Sequence, residues 1–302
     1  LTIAGRVIDD TSDAWVIAEL GHNHGGSLDT AKAMIRVAAA AGADAVKLQK
    51  RSNRELYTDD AYNHPYVSEN SYGATYGEHR EALEFSSRDY TVLQLEAAAE
   101  RVALFATPFD ACSLAMLVRH GVVALKIASS DVVNLPFLKH AAEFGIPMIV
   151  STGAATQADV DAAVNTIWPI NQHLALLQCT AEYPVRVEHL NLNVITTYRE
   201  RYPDLVIGLS THYSGISDTI AAYVLGARIF EKHFTLDRTS KGSDHAFSLE
   251  PDGFAKMVSY LRKVRLMLGS GDKTMLPGEQ AMVAKMRETT RWYTELSQNA
   301  IR

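Results

Sequence analysis

The chain has 302 residues, 47% hydrophobic and 21% charged, with 29 Lys and Arg against 35 Asp and Glu for a net charge of −6. This balance excludes intrinsic disorder, and with no basic stripe it excludes a nucleic-acid partner. No apolar run reaches the roughly 18 residues of a membrane span, and no basic-then-apolar leader opens the chain. The two cysteines, Cys112 and Cys179, make neither a disulfide framework nor a CxxC metal motif, so both are expected as reduced packing residues in a cytoplasmic protein.

Residues 1–13 predict a small hairpin. The first apolar run, Trp15–Leu20, is followed by helical spacing in Leu28, Ala31, Ile35, Ala38 and Ala39, with Ser27 as N-cap. Ala45–Leu48 is the second run, and residues 50–88 after it form a long, Tyr-rich connection of the kind that serves as a lid. Leu104–Thr107 and Val122–Ile127 come next. A helix through Leu135, Leu138 and Ala142 follows, capped by Asn134 with Pro136 in its first turn. Pro147–Val150 precedes a capping box of Thr156 and Asp159. Leu174–Gln178, Leu205–Leu209 and Arg228–Glu231 complete the runs, and Glu250-Pro251-Asp252 opens a stripe of Phe254, Met257, Leu261, Val264 and Leu268. Lys285–Leu296 is predicted helical. The runs are rich in Val, Ile and Leu with little alternation, as parallel strands covered on both faces are. Eight such units predict an α/β TIM (β/α)8 barrel over 1–280, with a short N-terminal hairpin beneath it and a helical C-terminal tail over 281–302 that is no separate domain. An open doubly wound sheet is the alternative, but the first run lacks a Gly-x-Gly-x-x-Gly turn.

The run ends collect residues that can do chemistry. In order they are Glu19, Asn23 and His24; Lys47 and Gln49; Thr107; Lys126, Ser129 and Asp131; Ser151 and Thr152; Tyr183; Ser210 and His212; Glu231 and His233; then Asp244 and His245 in the last loop. Singly, a lysine here is as well explained by an ion pair, and a histidine by a hydrogen bond in the core. Gathered at the C-terminal ends of barrel strands, they predict an active site. Lys47 and Lys126 with Thr107, Ser129, Ser151, Thr152 and Ser210 suit a phosphate. His212 and His233 end neighbouring strands and suit one Zn, Mn, Co or Fe ion, with water or substrate filling its other positions. Glu19, Asp131 and Asp244 are candidate acid–base groups or hydroxyl acceptors.

The ordered motifs resemble the N-acetylneuraminate (sialic acid) synthase family. They are IAELGHNHGG from Ile17, AGADAVKLQ from Ala41, Thr107-Pro108-Phe109, Lys126-Ile127-Ala128-Ser129 and Ser151-Thr152-Gly153. GLSTH from Gly208, EKHFT from Glu231 and SLEPD from Ser248 complete the set. The resemblance implies condensation of phosphoenolpyruvate with an N-acylated amino-hexose aldehyde, such as N-acetylmannosamine, to give a nonulosonic acid and phosphate. It implies a divalent metal, Mn2+ with Mg2+ or Co2+ as alternatives, on His212 and His233. It implies donor contacts from Lys47, Thr107, Lys126, Ser129, Ser151 and Ser210, and sugar contacts from Glu19, Gln49, Tyr183 and Asp244, with Glu19 as proton-transfer group. A homodimer is expected from the same resemblance. Thr211, Asp131 and Ala181 depart from the Asp, Glu and Asn or Ser common in the family, which points to a different aldose. About twenty residues after Met282 are too few for the family's C-terminal antifreeze-like domain and its arginine, for which Arg287, Arg291 or another chain is the candidate replacement. The competing expectations are a ligand-binding barrel with little or no turnover, a synthase acting on a different aldose, and a metal-dependent aldolase running on pyruvate.

Overall fold

The computed structural model describes residues 1–288. Eight parallel strands close into a barrel in chain order. They are β1 (Trp15–Gly21), β2 (Ala45–Lys50), β3 (Ala103–Pro108), β4 (Leu125–Ile127), β5 (Met148–Ser151), β6 (Leu174–Gln178), β7 (Val206–Thr211) and β8 (Ile229–His233), with β8 pairing back onto β1. All eight predicted strands are present. The fourth is shorter than expected: the Val122 amide bonds to the Leu117 carbonyl, so the chain joins the ladder only at Leu125, which faces Ala106 of β3.

The ring of helices comprises α1 (Leu28–Ala40), α2 (Ser87–Ala99), α3 (Ala111–Arg119), α4 (Leu135–Ala142), α5 (Gln157–Ile167), α6 (Val194–Arg201), α7 (Ser217–Val224) and α8 (Pro251–Leu268). Their starts follow local chemistry. The Ser27 hydroxyl accepts from the Thr30 amide at 3.2 Å, the Asn134 side chain accepts from the Phe137 amide, and Thr156 and Asp159 cap each other's backbone. Such caps are each worth about 1 kcal/mol. Helix α1 buries Ala31, Met34, Ile35 and Ala38 against the barrel, and complete burial of Ile35 contributes about 2 kcal/mol. The stripe on α8 holds through Val264, whereas Leu268 is 50% exposed. Leu1–Val264 form one compact unit, and the chain from Arg265 forms a second. That second unit contains a helix at Pro277–Val283 running into a π-helical turn, Ala284–Glu288. The rest of the helix expected over Lys285–Leu296, and Arg291, lie outside the described residues.

The predicted N-terminal hairpin pairs Thr2–Ile3 with Arg6–Val7. The Arg6 guanidinium pairs with Asp44 and donates to the carbonyls of Asp13 and Ala14, and Arg262 reaches the same carboxylate at 2.6 Å. These partners immediately precede β1 and β2, so the hairpin closes the N-terminal end of the barrel. Residues 50–88 carry three short helices, Asn53–Leu56, Asp59–Asn63 and Tyr76–Glu81. Edge-to-face contacts of Tyr76 with Tyr57 and Tyr66 pack them together. Two hydrogen bonds tie this connection to the last loop: the Tyr72 hydroxyl donates to the Lys241 carbonyl at 2.7 Å, and the Gly242 amide donates to the Asn70 side chain at 3.0 Å.

Candidate active site

Strand pleating sends alternate residues into the barrel, and at the C-terminal end those residues are polar. They line a cavity of about 640 Å³. Its floor is an ion cluster. Lys47 Nζ stands 2.6 Å from Glu19 Oε2 and donates to Thr107 Oγ1 at 2.8 Å. Glu231 Oε1 lies between the two lysines, 3.8 Å from Lys47 Nζ and 3.7 Å from Lys126 Nζ, and accepts from Ser210 Oγ at 3.2 Å. Burial pushes the Glu231 carboxyl up, but the two ammonium groups outweigh it and hold it below the ordinary value. Burial lowers Lys126, against the attraction of Glu231. Two buried ammonium groups facing two carboxylates form a floor able to hold an anion without first recruiting ions from water. Ser151 Oγ is buried here without a hydrogen-bond partner, a donor ready for a ligand. Ser129 Oγ accepts from the Gly153 amide at 2.9 Å.

His212 and His233 face each other across the rim, with ring centroids 5.4 Å apart. His212 Nδ1 is 3.1 Å from the Thr180 carbonyl, so the proton sits on Nδ1 and Nε2 keeps its lone pair. Burial and the neighbouring His233 push His212 down to about 3, which keeps the ring neutral. His233 Nδ1 is buried with no hydrogen-bond partner and lies 3.8 Å from Asp244 Oδ2. Two imidazoles with unengaged nitrogens on one cavity fit a divalent ion. Among the described residues no set of three or more His, Cys, Asp or Glu is arranged to hold one, so such an ion would take its other ligands from water or substrate.

Of the residues expected at the site, Glu19, Lys47, Gln49, Thr107, Lys126, Ser129, Ser151, Tyr183, Ser210, His212, His233 and Asp244 all line the cavity. Asp131 does not. After Ser129 the chain turns into a 3-10 helix, Ser129–Asp131, and the Asp131 carboxylate turns toward Ser130 and Asn134, each at 3.4 Å. Cys179 lines the cavity, but burial pushes its thiol up and keeps it protonated. Cys112 is exposed.

The upper wall holds three groups that the sequence reading missed: His22, Arg51 and Arg80. Gln49 donates to Glu19 Oε1 and accepts from Arg51 Nη2, both at 2.8 Å. Arg51 Nη1 lies 2.9 Å from His22 Nε2, and Arg80 Nη1 lies 3.3 Å from His22 Nδ1. Burial, then the two guanidinium groups, push His22 well below its ordinary value, so it stays neutral. Arg51 had a signal, since it follows Lys47 and Gln49 at the same alternate spacing. Arg80 had none, because it arrives on the third short helix of the long connection.

Nearby, His24 packs its ring 4.3 Å from that of Phe85 and accepts from the Gly26 amide at 3.1 Å. Burial lowers it to about 4. The unfolded chain therefore binds the proton more readily than the folded one. The stabilisation is complete above about pH 6.5 and is lost as the pH falls through 6.5 toward 4, by about 3 kcal/mol for this group alone. Thermal melts between pH 7 and 4 should fall, and His24→Gln should flatten the fall. An equal slope in both proteins would remove His24 as its source.

Comparison with known proteins gives a consistent picture. The chain is 41% identical to N-acetylneuraminate-9-phosphate synthase of Homo sapiens over 284 residues, covering 93% of this chain and 79% of that one. It is 33% identical to N,N'-diacetyllegionaminic acid synthase of Legionella pneumophila, covering 95% and 82% respectively. A crystal structure of N-acetylneuraminic acid synthetase from Leptospira borgpetersenii in complex with citrate superposes with a TM-score of 0.82 at 33% identity, over 96% of this chain and 97% of that one. Residues 34–273 match the NeuB family, and with relatives of this similarity across nearly the whole barrel, the chain belongs to that family.

Proposed function

We propose that the protein condenses phosphoenolpyruvate with the open-chain form of an N-acylated amino-hexose, giving a nonulosonic acid and inorganic phosphate. One observation supports this most: the two buried lysines bracketing Glu231 lie on the floor of the cavity whose rim carries the imidazole pair. Lys47, Lys126 and the hydroxyls of Thr107, Ser129, Ser151 and Ser210 hold the donor's phosphate and carboxylate. Gln49, Tyr183 and Asp244 orient the sugar. His212 and His233 hold the divalent ion, and Mn2+ bound there supplies Lewis acidity toward a carbonyl oxygen.

The reaction then balances. The electron pair of the donor's double bond forms the new carbon–carbon bond to the aldehyde carbon, and the aldehyde oxygen takes a proton. Water adds at the carbon bearing the phosphate ester and loses a proton. Cleavage of that carbon–oxygen bond releases phosphate and leaves the keto acid. Glu19, buried 2.6 Å from the Lys47 ammonium, exchanges a proton with the reacting oxygen. The lysines offset the negative charge that moves between carboxylate and phosphate.

The test is phosphate release by the purified protein with Mn2+, phosphoenolpyruvate and N-acetylmannosamine or related amino-hexoses, with mass analysis of the acid formed. The expected result is one phosphate per sugar acid. Binding of phosphoenolpyruvate without turnover on any acceptor would replace this reading with that of a ligand-binding barrel, and pyruvate serving as donor without phosphate release would replace it with an aldolase.

A further inference from the structure

We propose that Lys232 and Asp218 are positioning residues for the imidazole pair, forming a buried brace behind β7 and β8 that fixes His212 against His233. The consequence for the ion rests on the metal reading above, because neither residue lines the cavity. Strand alternation points Glu231 and His233 into the barrel and turns Lys232 outward, toward α7. The Lys232 side chain is 1% exposed, and Asp218 Oδ2, in the first turn of α7, lies 3.6 Å from its Nζ. Among the described residues Asp218 is the only acid within 4 Å of that ammonium.

The first ground is what the pair grips. Lys232 Nζ donates to the Tyr213 carbonyl. The Tyr213 amide donates to Thr211 Oγ1 at 3.2 Å, and the Thr211 hydroxyl in turn faces the Asp218 carboxylate. Both backbone groups of Tyr213 are thereby fastened to the ion pair, one directly and one through Thr211. Thr211 and Tyr213 flank His212. Lys232 immediately precedes His233 and sits opposite Thr211 in the β7–β8 ladder. One side chain therefore ties together the chain neighbours of both imidazoles, whose ring centroids stand 5.4 Å apart.

The second ground is cost. Phe230, two residues earlier on the same face of β8, stacks on Tyr223 of α7 with ring centroids 6.2 Å apart, so apolar packing already serves this layer. An ammonium and a carboxylate lose their hydration when buried there, and apolar residues of equal volume would give as much stability or more. What a buried pair adds is a single arrangement of the groups it holds. A simpler account makes Asp218 a favourable charge at the start of α7, where Ile216 supplies no side-chain cap, with Lys232 as its counter-charge. That account explains the acid. It does not explain why the lysine's hydrogen bond goes to the residue after His212.

The experiment titrates Mn2+ into the metal-free protein, read by the resonance of the free ion, at a temperature well below every melt. It compares the wild type, Lys232→Met, and the double variant Lys232→Met, Asp218→Leu. Lys232→Met should lose roughly tenfold in Mn2+ affinity and melt earlier, because Asp218 is left buried without its counter-charge. The double variant should regain most of the melting temperature and none of the affinity. Recovery of both makes the pair structural only and overturns the proposal, as does unchanged affinity in Lys232→Met. Should Lys232→Met not fold, the double variant decides alone: weakened Mn2+ binding supports the brace, and wild-type binding overturns it. Phosphoenolpyruvate titrated without metal should bind every folded variant as it binds the wild type, since the lysine floor is untouched. A loss matching that of Mn2+ would mark general damage to the barrel end and overturn the proposal. If the wild type binds no Mn2+, or His212→Ala binds it as tightly, the metal reading fails, and the brace is judged on the metal-free protein. The Nδ1 proton of His212, held by the Thr180 carbonyl, should then exchange with water roughly tenfold faster in the double variant. Equal exchange overturns the brace.

Discussion

Replacing Lys126 with Met is expected to cut kcat/KM for phosphoenolpyruvate by roughly a hundredfold to a thousandfold. The lysine is 3% exposed at the bottom of the cavity and shares Glu231 with Lys47. Its loss removes one of the two point charges facing the donor and leaves Glu231 with a single ammonium 3.8 Å away. Stability should fall as well, by about 3 kcal/mol, because a buried carboxylate loses half its compensation. The double variant Lys126→Met, Glu231→Gln separates the two effects. It should recover most of the lost melting temperature and none of the activity. Recovery of both would make the lysine a structural counter-charge only.

Replacing His212 with Ala should weaken Mn2+ binding by roughly a hundredfold or more, beyond the loss seen when only a ligand's supporting hydrogen bond is removed. The ring is oriented by the Thr180 carbonyl and packed against Tyr183 at 3.9 Å between centroids, so its Nε2 is held in one direction. Titration with Mn2+, read by the electron paramagnetic resonance of the free ion, measures this without turnover. An unchanged affinity would dismiss the imidazole pair as the metal site. His233→Ala should give a loss of similar size, and chelation should stop turnover reversibly.

The barrel was legible because each strand belongs to a run rich in apolar residues and helices α1 to α5 start at side-chain caps. The floor of the site was legible for the same reason, since a residue at the end of such a run has only two faces to choose between. What failed was whatever depended on a turn. Asp131 left the cavity because three residues of 3-10 helix intervene. Leu268, expected in the stripe on α8, is half exposed at the last residue of that helix. Arg80 entered from a segment with no sustained period, positioned by contacts among Tyr57, Tyr66 and Tyr76 that only the folded path brings together. Arg51 was readable in principle, as the third member of an alternating series whose first two members were recognised.

The hairpin at the far end has a kinetic meaning. With Arg6 and Arg262 fastened to Asp44 and the barrel interior packed rather than hollow, traffic runs through one mouth only. On the proposed assignment, the acceptor is a stopper above the donor. Initial-rate patterns should then be ordered and sequential, with the donor entering first and the acceptor showing dead-end inhibition whenever it arrives early.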